Sequence, residues 1–191
     1  IFTGNREEYS ITINRLGKTG DTGIEEGYLD NSISDNVADR DGTDKLTAIE
    51  RLEFADGTLV IDVEGGETAG QAYRLYQAAF ARTPDMPGVA YHMNDMESNG
   101  LSITQIAGNF IASPEFKSKY GENPTEEEYI NLLYQNVLGR TPQDFEVDYY
   151  KERFESGTTD WNTTLVFFAE SPENIALVGP DIANGIWLPD A

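Results

Sequence analysis

The second half of this 191-residue chain is written twice. Leu75-Tyr76-Gln77 returns 58 residues later as Leu133-Tyr134-Gln135, and Arg82-Thr83-Pro84 returns as Arg140-Thr141-Pro142 at the same offset. Tyr91 pairs with Tyr149, Phe110 with Phe168, and Ser113-Pro114-Glu115 with Ser171-Pro172-Glu173, with no gap needed. Self-similarity at a fixed period marks a repeated structural unit. A unit this short cannot bury its apolar face alone, so the two copies are expected to close around one interior as a bundle.

Each copy has helical spacing. Ala72, Tyr76, Ala79 and Phe80 recur on one helix face, as do Ile130, Leu133, Tyr134, Val137 and Leu138. Thr125 with Glu128 and Ser102 with Gln105 have capping-box spacing, and Ser113-Pro114 and Ser171-Pro172 set a capping hydroxyl before a first-turn proline. These signals predict a long helix, a turn at Arg-Thr-Pro, a second helix, a Gly-rich turn and a third helix. The three-helix repeats run over about 72–121 and 130–179, inside a helical domain at 67–191.

Residues 1–66 read differently. Tyr9, Ile11 and Ile13 alternate with polar residues, the period of a half-buried strand. Glycines at 17, 20, 23 and 27 predict a loop, with a weaker strand at Tyr28–Ile33. Asp56-Gly57 lies between the apolar runs ending at Phe54 and starting at Leu59, which is a hairpin signal. Glu64-Gly65-Gly66-Glu67 reads as a linker. The expected fold class is therefore α+β: a small N-terminal β-rich module followed by an all-α bundle.

Composition narrows the function. A formal charge of −21 repels phosphate backbones, so no nucleic acid is expected, and no apolar run reaches the length of a membrane span, so no membrane insertion is expected. The absence of cysteine excludes disulfides, thiolate metal sites and a cysteine nucleophile. So many carboxylates serve either a solvated acidic surface or a hard cation such as Ca2+, which prefers oxygen ligands.

The best metal candidate is Asp35, Asp39, Asp41 and Asp44 around Gly42, where close-set carboxylates and a glycine let a loop turn oxygens inward. The competing reading is a plain Asp/Gly turn. An EF-hand is excluded, because placing Gly42 at the sixth loop position puts Val37 first and Ala48 twelfth. Arg82 and Arg140 are expected to serve helix C-termini, and Asp85 and Asp144 to favour the helix starts that follow. His92 is the only histidine and no Gly-x-Ser-x-Gly elbow exists, so no enzyme is expected. Most repeat-position aromatics belong in a core. Tyr149, Tyr150, Trp161 and Trp187 stay open to a sugar-stacking role, with Trp187 expected to pin the tail onto the bundle.

The run Leu75-Tyr76-Gln77-Ala78-Ala79-Phe80-Ala81-Arg82-Thr83-Pro84-Asp85, with Ser113-Pro114-Glu115-Phe116, resembles the bacterial domain-of-unknown-function family 4214 over roughly 68–176. The Asp35–Asp44 segment with Ile49–Thr58 resembles a stretch that accompanies RTX calcium-binding regions in exported proteins. The nonapeptide RTX repeat itself is missing, since Gly65-Gly66 runs on into Glu67. A more distant likeness, to phycobilisome linker domains, conflicts with the acidic charge. The resemblances imply type I export and a secreted or cell-surface location. They point to a non-enzymatic calcium-binding interaction or assembly module with protein partners, the alternative being a carbohydrate-binding module of an adhesin or polysaccharide-active enzyme.

Overall fold

The computed structural model describes residues 1–14 and 31–190. The Gly-rich loop expected at 17–27, and residues 28–30 of the weaker strand, lie outside the described residues. The chain divides into two compact units: residues 1–63 with 181–191, and residues 64–180.

The first unit holds two three-stranded antiparallel sheets. After a 3-10 turn at Arg6–Glu8, strands β1 (Tyr9–Thr12), β2 (Asn31–Asp35) and β3 (Thr43–Leu46) pair in that order. Strands β4 (Arg51–Phe54) and β5 (Gly57–Val60) form the expected hairpin, turning through Ala55-Asp56, and β6 (Ile186–Pro189) adds to β5. Gly57 lets β6 approach: a Cβ there would meet the Leu188 carbonyl oxygen at 2.4 Å. Tyr9, Ile33, Leu46, Leu52, Phe54 and Leu59 form the unit's core, and Phe2 and Trp187 pack against it. Trp187 thus does not pin the tail to the helical bundle. It pairs with Leu59 across the sheet and meets the Phe54 ring edge-on at 6.0 Å, because the tail finds an unpaired strand edge whose backbone hydrogen bonds it completes.

The second unit contains α1 (Thr68–Phe80), α2 (Met86–Glu97), α3 (Ile103–Ala112), α4 (Pro114–Tyr120), α5 (Glu126–Leu138), α6 (Asp144–Glu155), α7 (Trp161–Ala169) and most of α8 (Pro172–Ile182). Helices α5 to α8 each begin 58 residues after α1 to α4. Each copy therefore has four helices, not three. Ser113 explains the extra break: its extended backbone ends α3, its hydroxyl accepts from the Phe116 N–H, and Pro114 opens α4. Ser171 likewise accepts from the Asn174 N–H. The capping boxes at Ser102/Gln105 and Thr125/Glu128 form as the spacing predicts.

The copies share one core, in which Leu75, Phe80, Ile106 and Phe110 join Ile130, Leu133, Leu165 and Phe168. Small residues bring the helices close. Ala78, Ala107 and Ala169 are fully buried, and a Cβ on Gly108 would meet the Asn162 amide at 2.9 Å. Buried phenols are satisfied, with Tyr120 donating to the Ala78 carbonyl at 2.7 Å and Tyr129 to the Trp161 carbonyl at 3.0 Å.

Candidate functional site

The Asp-rich loop follows β2, whose antiparallel pairing with β3 brings its two ends together. Asp39 and Gly42 both take positive φ, 59° and 76°, to make the turn. The Asp35 side chain is fully buried and accepts two backbone N–H groups, from Val37 at 2.8 Å and Asp41 at 2.9 Å. The Arg40 guanidinium forks onto both its oxygens at 2.6 Å, holding the carboxyl well below the usual range. Arg40 also donates to Glu8 at 2.9 Å, lowering that carboxyl too, and lies 5.0 Å from the Tyr9 ring centroid. Asp41 accepts from the Tyr9 hydroxyl and from the Thr3 N–H and hydroxyl, which lowers its pKa, while burial and Asp41 raise that of Tyr9.

Of the four aspartates, then, Asp35 and Asp41 hold the loop to the first strand and the 3-10 turn. The side chains of Asp39, and of Asp44 on β3, make no hydrogen bond or ion pair within the described residues. Among the described residues no three acidic or imidazole side chains group so as to hold a metal ion. The donor oxygens of Asp35 face a guanidinium, which occupies the place where a cation would neutralise them.

The arginines after α1 and α5 serve the fold. Arg82 donates to Glu115 at 2.7 Å and Arg140 to Glu173 at 2.7 Å, each tying the end of a copy's first helix to the start of its fourth. Arg140 also forks onto Glu146 at 2.8 Å to each oxygen, and this pair lowers the Glu146 carboxyl to about 2. Asp85 caps α2 by accepting from the Gly88 N–H at 2.9 Å, whereas Asp144 sits in the first turn of α6 behind the cap Gln143. His92 is half-buried. Burial depresses its pKa, and its ring meets Phe110 edge-on at 4.5 Å in the place Tyr150 takes beside Phe168.

Sequence reasoning missed the most buried ion pair. Arg74, 1% exposed, donates to both oxygens of Glu170 at 2.7 and 2.9 Å and to the Glu64 carbonyl at 3.0 Å, and Glu170 also accepts from the Gly66 N–H at 3.1 Å. The signal available was negative: the equivalent residues in the other copy are Leu132 and Ala112, so the repeat pattern gives this pair no counterpart.

The surface of the second copy carries a feature the first lacks. Phe145 on α6 is 71% exposed, Tyr149 one turn on is 53% exposed, and Phe167 on α7 is 44% exposed. Arg153 lies 5.3 Å from the Tyr149 ring centroid and 5.9 Å from that of Phe167, with no carboxylate partner among the described residues. The equivalent positions in the first copy are Pro87, Tyr91, Asp95 and Asn109, and there Asp95 is buried beside His92 and Asn99. Tyr149 thus proves exposed, whereas Tyr150 and Trp161 are partly buried against the core.

A family model described as domain of unknown function (DUF4214) matches residues 107–178, which run from α3 into α8 and include α5 to α7 of the second copy. Neither the curated proteins nor the solved structures yield a match. No helix among the described residues is long and apolar enough to cross a membrane.

Proposed function

We propose that this chain is a non-enzymatic interaction and assembly module of a secreted or cell-surface bacterial protein, with the α6–α7 face as its recognition surface. The supporting observation is the exposed Phe145–Tyr149–Arg153–Phe167 group. The first copy acts as an internal control, because it folds to the same four helices without that group. The fold therefore does not require it. Tyr, Phe and Arg are enriched where interfaces carry their binding energy, and a guanidinium over exposed rings is ready to meet a carboxylate. The partner is another extracellular protein domain presenting a carboxylate to Arg153 and apolar side chains to the three rings.

A photo-crosslinking amino acid placed at 145 or 167 of the parent protein, at the bacterial surface, should give a discrete adduct. The same probe at Asn109 or Leu177, both exposed, should give none, and Arg153→Glu should abolish the adduct. Equal labelling at all four positions, or an adduct indifferent to Arg153, rejects the α6–α7 face.

Calcium enters this proposal through the β unit. Arg40 already neutralises Asp35, so an ion would bind through Asp39 and Asp44, whose carboxylates have no partner among the described residues, or displace Arg40. A ligand specific for the folded state at a hundred times its Kd adds about 2.7 kcal/mol. Melting of the chain should accordingly rise with CaCl2, fall with chelator, and lose the response in Asp39→Asn/Asp44→Asn. A melt indifferent to both additions removes calcium from the module.

A further inference from the structure

The segment joining the two copies, Gly121 to Thr125, is flanked by two hollows. One, of about 430 Å3, is walled by Ile111, Phe116, Pro124 and Trp161. The other, of about 910 Å3, shares residues 121–124 with it and extends to Lys119 and Gln135. Residues 121–124 wall both hollows, each in the size range of small-ligand sites, and we take the pair as one groove.

Three properties define what such a groove recognises. The first is a fixed aromatic plane. The Trp161 indole stacks on the fully buried Tyr129 at 4.4 Å and 25°, and Tyr129 lines neither hollow. The first copy holds Ile103 in this place, so the fold asks for an apolar residue and not for an indole. The second is a pair of carboxamides. The side chains of Asn123 and Gln135 are exposed and make no hydrogen bond within the described residues, and each offers a donor and an acceptor. The third is charge. Glu122, Glu126, Glu127 and Glu128 line the larger hollow, which opposes anionic ligands.

An aromatic plane, paired donors and acceptors, and a bias against anions match one chemical class. We infer that this groove binds a neutral oligosaccharide, with Trp161 stacking against one sugar ring and Asn123 and Gln135 hydrogen-bonding its hydroxyls. None of these residues belongs to the α6–α7 aromatic group, so either surface can fail without the other.

The test is saturation-transfer NMR and fluorescence titration of the full chain with cello-, xylo-, malto- and chito-oligosaccharides, and with a polyuronate oligosaccharide as the anionic arm. At least one neutral oligosaccharide should bind and change the indole emission. Losing two hydrogen bonds in Asn123→Ala/Gln135→Ala should weaken binding about tenfold or more. Trp161→Phe, which keeps the apolar fill, should remove the emission change, since Trp187 lies in the β unit. Silence from every neutral oligosaccharide overturns the inference. So does binding unaffected by these substitutions, or preference for the polyuronate.

Discussion

Replacing Glu170 with alanine should cost about 3–5 kcal/mol of stability, because it takes from the buried Arg74 guanidinium the carboxylate that receives two of its hydrogen bonds. At this size that corresponds to a fall in melting temperature of roughly 6–20 °C. The loss exceeds one ion pair's worth, since the Gly66 N–H also loses its acceptor. The repeat suggests a rescue. The equivalent positions are Leu132 in the second copy and Ala112 in the first, so the repeat tolerates an apolar solution at this place. Arg74→Leu combined with Glu170→Ala should therefore recover much of what Glu170→Ala alone loses, as apolar replacement of buried ion pairs often does. Chemical denaturation of the three variants decides the matter. A single variant within about 0.5 kcal/mol of the parent, or a double variant no better than the single, contradicts the argument.

The same pair shows where sequence reading stops. Much that depends on local spacing was legible: the 58-residue repeat carries each helix start of one copy into the other, although three helices per copy were expected where four form, and Ser102, Ser113, Thr125 and Ser171 cap where their side chains indicate. Asp56-Gly57 marked the tight β4–β5 hairpin. Features that depend on distant residues meeting were not legible. Arg74 and Glu170 stand 96 residues apart, and nothing in their neighbours announces a buried charge. Strand β3 escaped notice because three of its four residues are exposed, leaving Leu46 alone to signal it. Strand β6 escaped because its partner β5 lies more than a hundred residues upstream. The Asp-rich loop was legible as an Asp/Gly turn. Its spacing allowed Arg40 to pair with a neighbouring carboxylate but did not single out Asp35 as that partner. Likewise the aromatic count could not separate exposed Phe145 and Tyr149 from buried Tyr134, since that depends on which helix face the other copy covers.

Truncating Phe168 to alanine should cost about 3–5 kcal/mol, the usual range for a buried aromatic, and Phe110→Ala should cost a similar amount. The symmetry is physical. Phe168 meets Tyr134 edge-on at 4.8 Å, and Phe110 meets Tyr76 edge-on at 5.5 Å, in equivalent places of the two copies. More decisive is where the damage spreads. Helix α3 packs on α7, α1 packs on both α5 and α7, and one apolar cluster contains residues of both copies. A hole at Phe168 should therefore speed amide hydrogen exchange in α1 and α3 as well as in α5 and α7, because these helices open together. If exchange rises only across α5 to α8 while α1 to α4 keep their protection, the copies are separate folding units. The shared interior would then not be what holds the bundle together.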